Sequence, residues 1–201
     1  MIKRVISRLL RRRLAGFPAV ALFGPRQCGK TTLARAMSDH YFDLEQPEER
    51  VRLDLALDEL AESDELVVLD EAQAWPEIFP RLRGLIDARR KVNGRFLLLG
   101  SVSPALGREV GESLTGRMAF VPLTPLLLQE AGTRQLDRLW RCGGFPDGGI
   151  LREGAFPHWH ENYLTAMAQR DLPTWGLPSR PAMTERLFRM LAAEQGAIRL
   201  P

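Results

Sequence analysis

The sequence predicts an α/β fold: a doubly wound, parallel sheet of five strands, followed by a small, incomplete helical region. Three observations predict it. Short apolar runs alternate with segments of helical periodicity over residues 1–124, a glycine-rich turn follows the first run, and strand signals stop after about residue 125. Strands that alternate with helices are typical of a parallel sheet with helices on both faces.

The five predicted strands are short runs rich in leucine and β-branched residues, as buried strands usually are. They occupy 19–24, 41–45, 65–70, 95–101 and 117–123. Helices are predicted between them at 30–40, 46–62 and 76–90. The second of these helices starts with Pro47, which suits a first turn, and the third ends before an Asn93-Gly94 turn.

Charge is distributed unevenly along the chain. Residues 1–35 carry nine Lys or Arg and no acid, whereas 39–77 carry fourteen acids and two Arg. A basic arm could contact nucleic acid or an acidic membrane, and it also resembles a transit peptide. We expect instead an amphipathic helix that belongs to the fold, with Arg4 and Arg8 mostly on its solvent side.

Composition limits the class of protein. The 201 residues carry a net charge of +3, and no apolar stretch is long enough to cross a bilayer. Two cysteines, Cys28 and Cys142, cannot form a disulfide framework. We therefore expect a protein of a reducing compartment such as the cytoplasm, with no membrane association.

The chain is predicted to contain two regions, 1–124 and 125–201. The second region has a glycine-rich loop at 141–149 and helical patterns at 156–172 and 182–196. Because the sequence ends soon after an amphipathic helix, we expect this second domain to be truncated.

One stretch after the first strand matches the pattern G-x-x-x-x-G-K-[ST] completely. In such a loop the glycines allow a tight turn whose N–H groups point at phosphate oxygens, the lysine reaches the β- and γ-phosphates, and the first hydroxyl can bind Mg²⁺. We therefore predict a nucleotide phosphate site. Its residues are Gly24, Pro25, Arg26, Gln27, Cys28, Gly29, Lys30, Thr31 and Thr32.

Two acids lie at the end of the third predicted strand. Asp70 ends an apolar run, where it could hold Mg²⁺ through water, although a helix N-cap is an alternative. Glu71 lies just beyond the strand and could deprotonate an attacking water. Together with the phosphate loop, this pair predicts hydrolysis.

Two further candidates lie at the ends of the last two strands. Ser101 is at the tip of the fourth predicted strand and could sense the γ-phosphate, while Ser103 is the expected helix cap. Arg117 precedes the fifth strand and could act as an arginine finger toward a neighbouring subunit. A salt-bridged arginine at a strand entry is an equally open alternative for Arg117.

These elements resemble the AAA+ ATPases, and more narrowly the bacterial and archaeal AAA-type ATPases whose C-terminal domain is poorly characterised. The matching stretches are "GPRQCGKTTLA", "YFDLE", "VVLDEAQ", "FLLLGSVSP", "ESLTGR", "LTPL", "GGFP" and "RDL". The resemblance implies ATP and Mg²⁺ as cofactors, with Thr31 and Asp70 at the metal, Glu71 in hydrolysis, Ser101 as a sensor and Arg117 as a finger. Many AAA+ loops carry a third glycine where this chain has Gln27.

Other classes fit less well. The chain has no Asn-Lys-x-Asp guanine reader and no Leu-Ser-Gly-Gly-Gln signature. His158 and His160 lack further Cys or His residues at ligand spacing for zinc. Aromatic residues after position 139 could stack on bases beside arginines, but core packing is the expected alternative. They are Trp140, Phe145, Trp159 and Trp175.

Two functions are consistent with the sequence. In the first, ATP hydrolysis drives a conformational change, in a homo-oligomer if Arg117 acts in trans. In the second, the chain is a nucleotide-gated module that turns over little ATP and passes its state to a protein or DNA partner. The pair of Asp70 and Glu71 favours the first.

Overall fold

A computed structural model describes residues 2–101, 114–174, 176–177 and 180–194. All five strands are parallel and form one sheet in the order β2-β3-β4-β1-β5. The predicted α/β fold with a five-stranded parallel sheet is thereby confirmed. The strands are β1 Ala19–Phe23, β2 His40–Asp43, β3 Val67–Asp70, β4 Phe96–Gly100 and β5 Met118–Pro122.

The helices follow the predicted periodicity, with ends that differ by a few residues. The first predicted inter-strand helix is shorter than expected and ends at Arg35. The helices are α1 Ile6–Gly16, α2 Lys30–Arg35, α3 Pro47–Glu62, α4 Ile78–Ala88, α5 Leu128–Ala131, α6 Leu136–Cys142, α7 His158–Ala166, α8 Leu172–Thr174 and α9 Pro181–Ala193. Two π-helical turns, Pro146–Ile150 and Met167–Asp171, lie before and after α7.

Both faces of the sheet are covered by helices. Successive residues of a strand point to opposite faces, so Ala19 and Ala21 pack with α3 and α4, whereas Val20 and Leu22 pack with α1 and α2. Because both faces of the central strands β1 and β4 are buried, their residues are apolar throughout and do not alternate between apolar and polar. This is expected for a parallel sheet between two helical layers.

Parallel pairing brings the carboxyl ends of the strands to one edge. Phe23 at the end of β1 is paired with Gly100 at the end of β4, and Asp43 of β2 is paired with Asp70 of β3. Because β4 lies between β1 and β3, the loop after β1 and the acids at the end of β3 are separated by two strand spacings, about 10 Å.

The amphipathic N-terminal helix is observed as α1, with Leu10 and Leu14 buried and Arg8 exposed. The expectation for Arg4 was wrong, because its side chain is only 8% exposed. Arg4 precedes the helix, so helical periodicity does not apply to it, and its guanidinium turns inward to polar groups described below.

None of the helices in the described part of the chain is long and apolar enough to cross a membrane. The boundary predicted near residue 124 stays a prediction. The segments on its two sides are in contact, since Arg26 forms an ion pair with Asp171 and Trp159 donates a hydrogen bond to Gln27.

Candidate functional site

The glycine-rich loop wraps around the ammonium group of its own lysine. Lys30 begins α2, and its Nζ donates to the carbonyl oxygens of Gly24 and Pro25, each at 2.9 Å. Its side chain is buried, with 6% exposure. A positive charge is therefore enclosed by the loop, where a phosphate could replace the carbonyl partners.

Two loop residues adopt the left-handed backbone region. Gly29 has φ of 98°, and Gln27 has φ of 59°. The backbone conformation of Gln27 is one that glycine adopts more easily than other residues, which explains why many AAA+ loops have a glycine at this position. Here the side chain of Gln27 is used instead, because its Oε1 accepts a hydrogen bond from Trp159 Nε1 at 3.1 Å.

Gly24 has a packing role besides its place in the loop. A Cβ at this position would lie 2.2 Å from the carbonyl oxygen of Leu123, just after β5. Cys28 is fully buried beside the same carbonyl, at 3.8 Å. Burial raises the pKa of the Cys28 thiol, and the charges of Lys30 and Arg4 offset this only in part, so the thiol is not activated.

Asp70 joins the loop to the third strand. It is 4% exposed, and its Oδ2 accepts hydrogen bonds from Thr31 Oγ1 at 2.7 Å and from the Tyr41 hydroxyl at 2.6 Å. Its Oδ1 accepts the backbone N–H of Glu71 at 2.9 Å. The structure thus brings the two predicted metal-binding residues, Thr31 and Asp70, into direct contact.

Glu71 lies beside this contact in a strained backbone conformation. Its φ and ψ are 49° and 45°, the left-handed region that non-glycine residues seldom occupy and that is common at functional sites. Gln73 Nε2 donates to its carboxylate. Burial raises the pKa of Glu71, and the negative charge of Asp70 raises this pKa further. The hydrogen bond from Gln73 and the charges of Lys30 and Arg26 offset the increase only in part. A carboxylate of raised pKa is a better proton acceptor.

Ser101 follows β4, between the loop and Asp70 in the sheet. It is 5% exposed, and within the described residues its Oγ has no hydrogen-bond partner. An unpaired buried hydroxyl is costly, so a ligand that bonded to it would gain free energy. Its sensing role stays a prediction, and the expected cap Ser103 lies outside the described residues.

Arg117 lies at the other edge of the sheet. Its Nε and Nη2 donate to the two carboxylate oxygens of Asp87, at 2.7 and 2.8 Å. Because it precedes β5 while the phosphate loop follows β1, the length of a strand separates it from the loop of its own chain. In this structure Arg117 is therefore a salt-bridged arginine at the entry to a strand, which was one of the two predicted roles. For Arg117 to act as an arginine finger, a second copy of the chain would be required.

The helical region closes the site from the opposite side. Arg26 Nε forms an ion pair with Asp171 Oδ1 at 3.0 Å, and the Asp171 side chain is 9% exposed. A cleft of about 590 Å³ lies between the loop and this region. It is lined by Arg26, Gln27, Gly29, Lys30, Thr31, Thr32, Glu71, Pro146, Asp147, Trp159, Asn162, Tyr163, Ala166, Arg170 and Asp171.

Aromatic residues of the helical region form one wall of the cleft. Trp159 and Tyr163 of α7 stack at 4.9 Å and 16°, and Phe145 packs against both. Core packing was the expected role of Trp140, but it is 86% exposed, so that expectation was wrong. Trp175 lies outside the described residues. No group of three or more His, Cys, Asp or Glu within the described ranges could hold a metal ion.

Arg4 supports the loop from the side of α1. Its guanidinium donates to the carbonyls of Cys28 at 2.9 Å and Thr124 at 2.6 Å, and its Nε lies 3.1 Å from Glu130 Oε2. Burial raises the pKa of Glu130, but hydrogen bonds from the N–H groups of Leu127 and Val5 and the charge of Arg4 together lower it below its ordinary value.

Three residues of this site were not predicted from the sequence as site residues. They are Tyr41, Trp159 and Asp171. Tyr41 and Asp171 belong to the short stretches "YFDLE" and "RDL", which were the available signal. Their contacts depend on tertiary docking, which periodicity does not report.

The fold and the loop define a P-loop nucleotide-binding domain. Residues 16–132 match the family described as an AAA domain, and the chain belongs to this family. Uncharacterized proteins of Mycobacterium tuberculosis and Mycobacterium bovis are each 38% identical to it over 201 residues. The match covers 98% of this chain and 45% of each relative, so the chain spans less than half the length of these curated relatives.

Two solved structures share the fold. A Walker-type ATPase of Pyrococcus abyssi superposes with a TM-score of 0.58 and 18% identity, covering 96% of this chain and 77% of that one. A signal transduction ATPase with numerous domains from Pyrococcus horikoshii, which carries a tetratricopeptide repeat sensor, gives 0.50 and 14%, covering 85% and 34%. Both are ATPases by name, and at this identity they support the fold alone.

Removing the Arg4 side-chain charge should weaken the packing of the phosphate loop and destabilise the folded protein. We expect Arg4→Met to lower the free energy of unfolding by about 3 kcal/mol, because it leaves the buried Glu130 carboxylate without its cationic partner and the carbonyls of Cys28 and Thr124 without the guanidinium donor. Urea denaturation measures this. Arg8→Met, on the exposed side of α1, is the matched control and should change it by less than about 0.5 kcal/mol. Equal effects of the two variants would contradict the role given to Arg4.

The same pair makes stability depend on pH. The folded-state pKa of Glu130 is lowered, so its contribution is present above the unfolded value of about 4.3 and is lost as pH falls through the folded value. The wild type should therefore lose more stability than Arg4→Met between neutral pH and that acidic range.

Proposed function

We propose that this domain binds ATP and hydrolyses it in the presence of Mg²⁺. The observation that carries the proposal is the 2.7 Å hydrogen bond between Thr31 Oγ1 and Asp70 Oδ2, with Glu71 next in sequence and in the same cleft. Thr31 lies in the helix that follows β1, and the two acids lie at the end of β3, which is not adjacent to β1. Parallel pairing brings both to one edge of the sheet, where a hydrolytic site needs them.

Phosphate binding would use the charge that the loop already encloses. The Lys30 ammonium would exchange the carbonyls of Gly24 and Pro25 for phosphate oxygens, which bind an ammonium more strongly than neutral carbonyls do. Backbone N–H groups of the loop and the start of α2 would add further donors.

The donor set at Thr31 and Asp70 fits Mg²⁺. A hydroxyl and a carboxylate oxygen are hard ligands, and this cation commonly takes one or two protein ligands, several waters and phosphate oxygens. Such a site needs no cluster of three acidic residues. When bound, Mg²⁺ would supply neutralisation of phosphate charge.

Glu71 would then act as the general base. Its carboxylate would accept a proton from a water as that water's oxygen attacks the γ-phosphorus. The bond from the γ-phosphorus to the bridging oxygen breaks, the electron pair leaves with ADP, and inorganic phosphate is the second product. For this step Gln73 has to release the Glu71 carboxylate, or turn with it.

The base of the nucleotide would occupy a second cleft that adjoins the loop. This second cleft has a volume of about 540 Å³ and is largely apolar, and Gly29 and Thr32 line both it and the first cleft. A flat heterocycle suits such a lining. Its apolar members are Ile2, Leu33, Leu126, Pro146 and Leu151.

The state of the nucleotide would reach the helical region through Arg26 and Gln27. Both are bound to that region, Arg26 to Asp171 and Gln27 to Trp159. A phosphate in the loop competes with Asp171 for the Arg26 guanidinium, since both are anions. Binding and release of phosphate therefore give a physical cause for movement of the helical region.

A second candidate is a nucleotide-gated module with little turnover. The hydrogen bond from Gln73 to Glu71 favours it, because it occupies the carboxylate that hydrolysis requires. In that case a protein or DNA partner would receive the signal. Arg117 could serve either function as a finger only from a neighbouring copy in a homo-oligomer.

We also place the protein in a reducing compartment, for which we propose the cytoplasm. Cys28 and Cys142 are both free and buried, and neither is in a disulfide.

Hydrolysis should depend on Glu71 and binding on Lys30. We expect Glu71→Gln to keep ATP affinity within about twofold while turnover falls at least about 100-fold, because the base is lost but the phosphate contacts stay. Lys30→Ala should lose both. Calorimetric binding and phosphate release measure the two properties. Glu77→Gln, an exposed glutamate, is the control. A Glu71→Gln variant that hydrolyses ATP like the wild type would exclude the mechanism.

The ion pair between Arg26 and Asp171 should oppose nucleotide binding. We expect Asp171→Asn to bind ADP about 3- to 10-fold more tightly, since Arg26 no longer has an anionic competitor for phosphate. Asp147→Asn removes a carboxylate from the same cleft and leaves the pair intact, so it reports the general charge effect. If both variants tighten binding equally, the pair does not couple the loop to the helical region.

A further inference from the structure

Asp70 receives a hydrogen bond from a residue outside both nucleotide motifs. Of the three donors to its carboxylate, Thr31 belongs to the phosphate loop and Glu71 is its neighbour in sequence. The third is the hydroxyl of Tyr41, at 2.6 Å from Oδ2, and this oxygen also accepts from Thr31. Tyr41 thus contributes directly to how this carboxylate is held.

The register of the sheet explains why a tyrosine can reach this place. Tyr41 is paired with Val68, two residues before Asp70, so its side chain must extend about 7 Å along the strand direction. A tyrosine hydroxyl reaches that far from position 41, whereas a serine or threonine hydroxyl at the same position would not. The ring belongs to the layer between the sheet and α2, on the same face as Val68.

Arg35 holds the ring from the other side. Its guanidinium lies 4.1 Å from the ring centroid, a cation–π contact from the last turn of α2. Tyr41 therefore links the helix that starts with the phosphate loop to the carboxylate that ends β3. The ring is thus packed between the sheet and Arg35, with its hydroxyl bonded to Asp70.

We propose that Tyr41 is a positioning residue for the metal-binding carboxylate. The inference rests on the proposed function, because it concerns the same site. With Thr31 and Tyr41 on Oδ2 and a backbone N–H on Oδ1, the carboxylate plane is fixed before any cation arrives. Partners that orient metal ligands in this way typically contribute tenfold or more to metal affinity. A hydroxyl does so without adding a charge that competes for the cation.

The plain alternative is that Asp70 only satisfies the hydrogen-bonding need of a half-buried tyrosine. Stability would then change on removal of the hydroxyl, but the metal dependence of nucleotide binding would not. Tyr41→Phe separates the two roles, since it removes the hydroxyl and keeps the ring over which Arg35 lies.

The test measures ADP binding to the full chain by calorimetry, in EDTA and across a series of Mg²⁺ concentrations. For Tyr41→Phe we expect ADP affinity in EDTA to match the wild type, while the Mg²⁺ concentration that gives half of the metal effect rises about tenfold. With ADP and Mn²⁺, the electron paramagnetic resonance spectrum should show less bound metal at equal total concentrations.

Ser38→Ala is the matched control. The Ser38 hydroxyl donates to the carbonyl of Leu66 and accepts the N–H of His40, so it ties β2 to β3 at the opposite end of the same strand pair. We expect this variant to lower the melting temperature and leave the Mg²⁺ dependence of ADP binding unchanged.

The outcomes separate the two proposals. An unchanged Mg²⁺ requirement in Tyr41→Phe, or a loss of ADP affinity that is equal with and without metal, overturns the role of Tyr41 while the proposed nucleotide site stands. A wild-type protein that binds no ADP, or binds it with no effect of Mg²⁺, overturns both. A shift in the Mg²⁺ requirement that Ser38→Ala does not share supports the inference.

Discussion

The hydrogen bond between Thr31 and Asp70 is the contact on which the site depends. It joins the start of α2 to the end of β3 across the intervening strand β4, a distance that the loop after β1 spans. The parallel order of the strands makes it possible, since it brings both carboxyl ends to one edge. Ser101, just after β4, then lies between the two halves, and its hydroxyl has no hydrogen-bond partner among the residues that the structure describes.

The phosphate loop is also held by parts of the chain that lie outside the sheet. Arg4 binds the carbonyl of Cys28 from the side of α1, and the helical region binds the side chains of Arg26 and Gln27. The loop is therefore the place where three parts of the chain meet. In our proposal this arrangement, more than the chemistry of hydrolysis, makes the domain able to pass on the state of its nucleotide.

Much of this could be predicted from the sequence, for identifiable reasons. Apolar runs and helical periodicity report local structure, so the five strands and their parallel arrangement were predicted. The order of the strands in the sheet was not predicted, because it depends on tertiary packing. Arg4 was mispredicted because it precedes the helix whose periodicity was applied to it. Tyr41 and Asp171 could not be assigned, since a strand tyrosine and a helix aspartate look the same whether they meet a site or solvent.

The central claim is that Thr31 and Asp70 act as one unit in a metal-dependent nucleotide site. A double-mutant cycle on ADP affinity in saturating Mg²⁺, with Thr31→Val and Asp70→Asn, tests it most directly. We predict that each single variant loses most of the metal-dependent affinity and that the double variant loses no more, which is a coupling of at least about 1 kcal/mol. Losses that add independently would contradict the account.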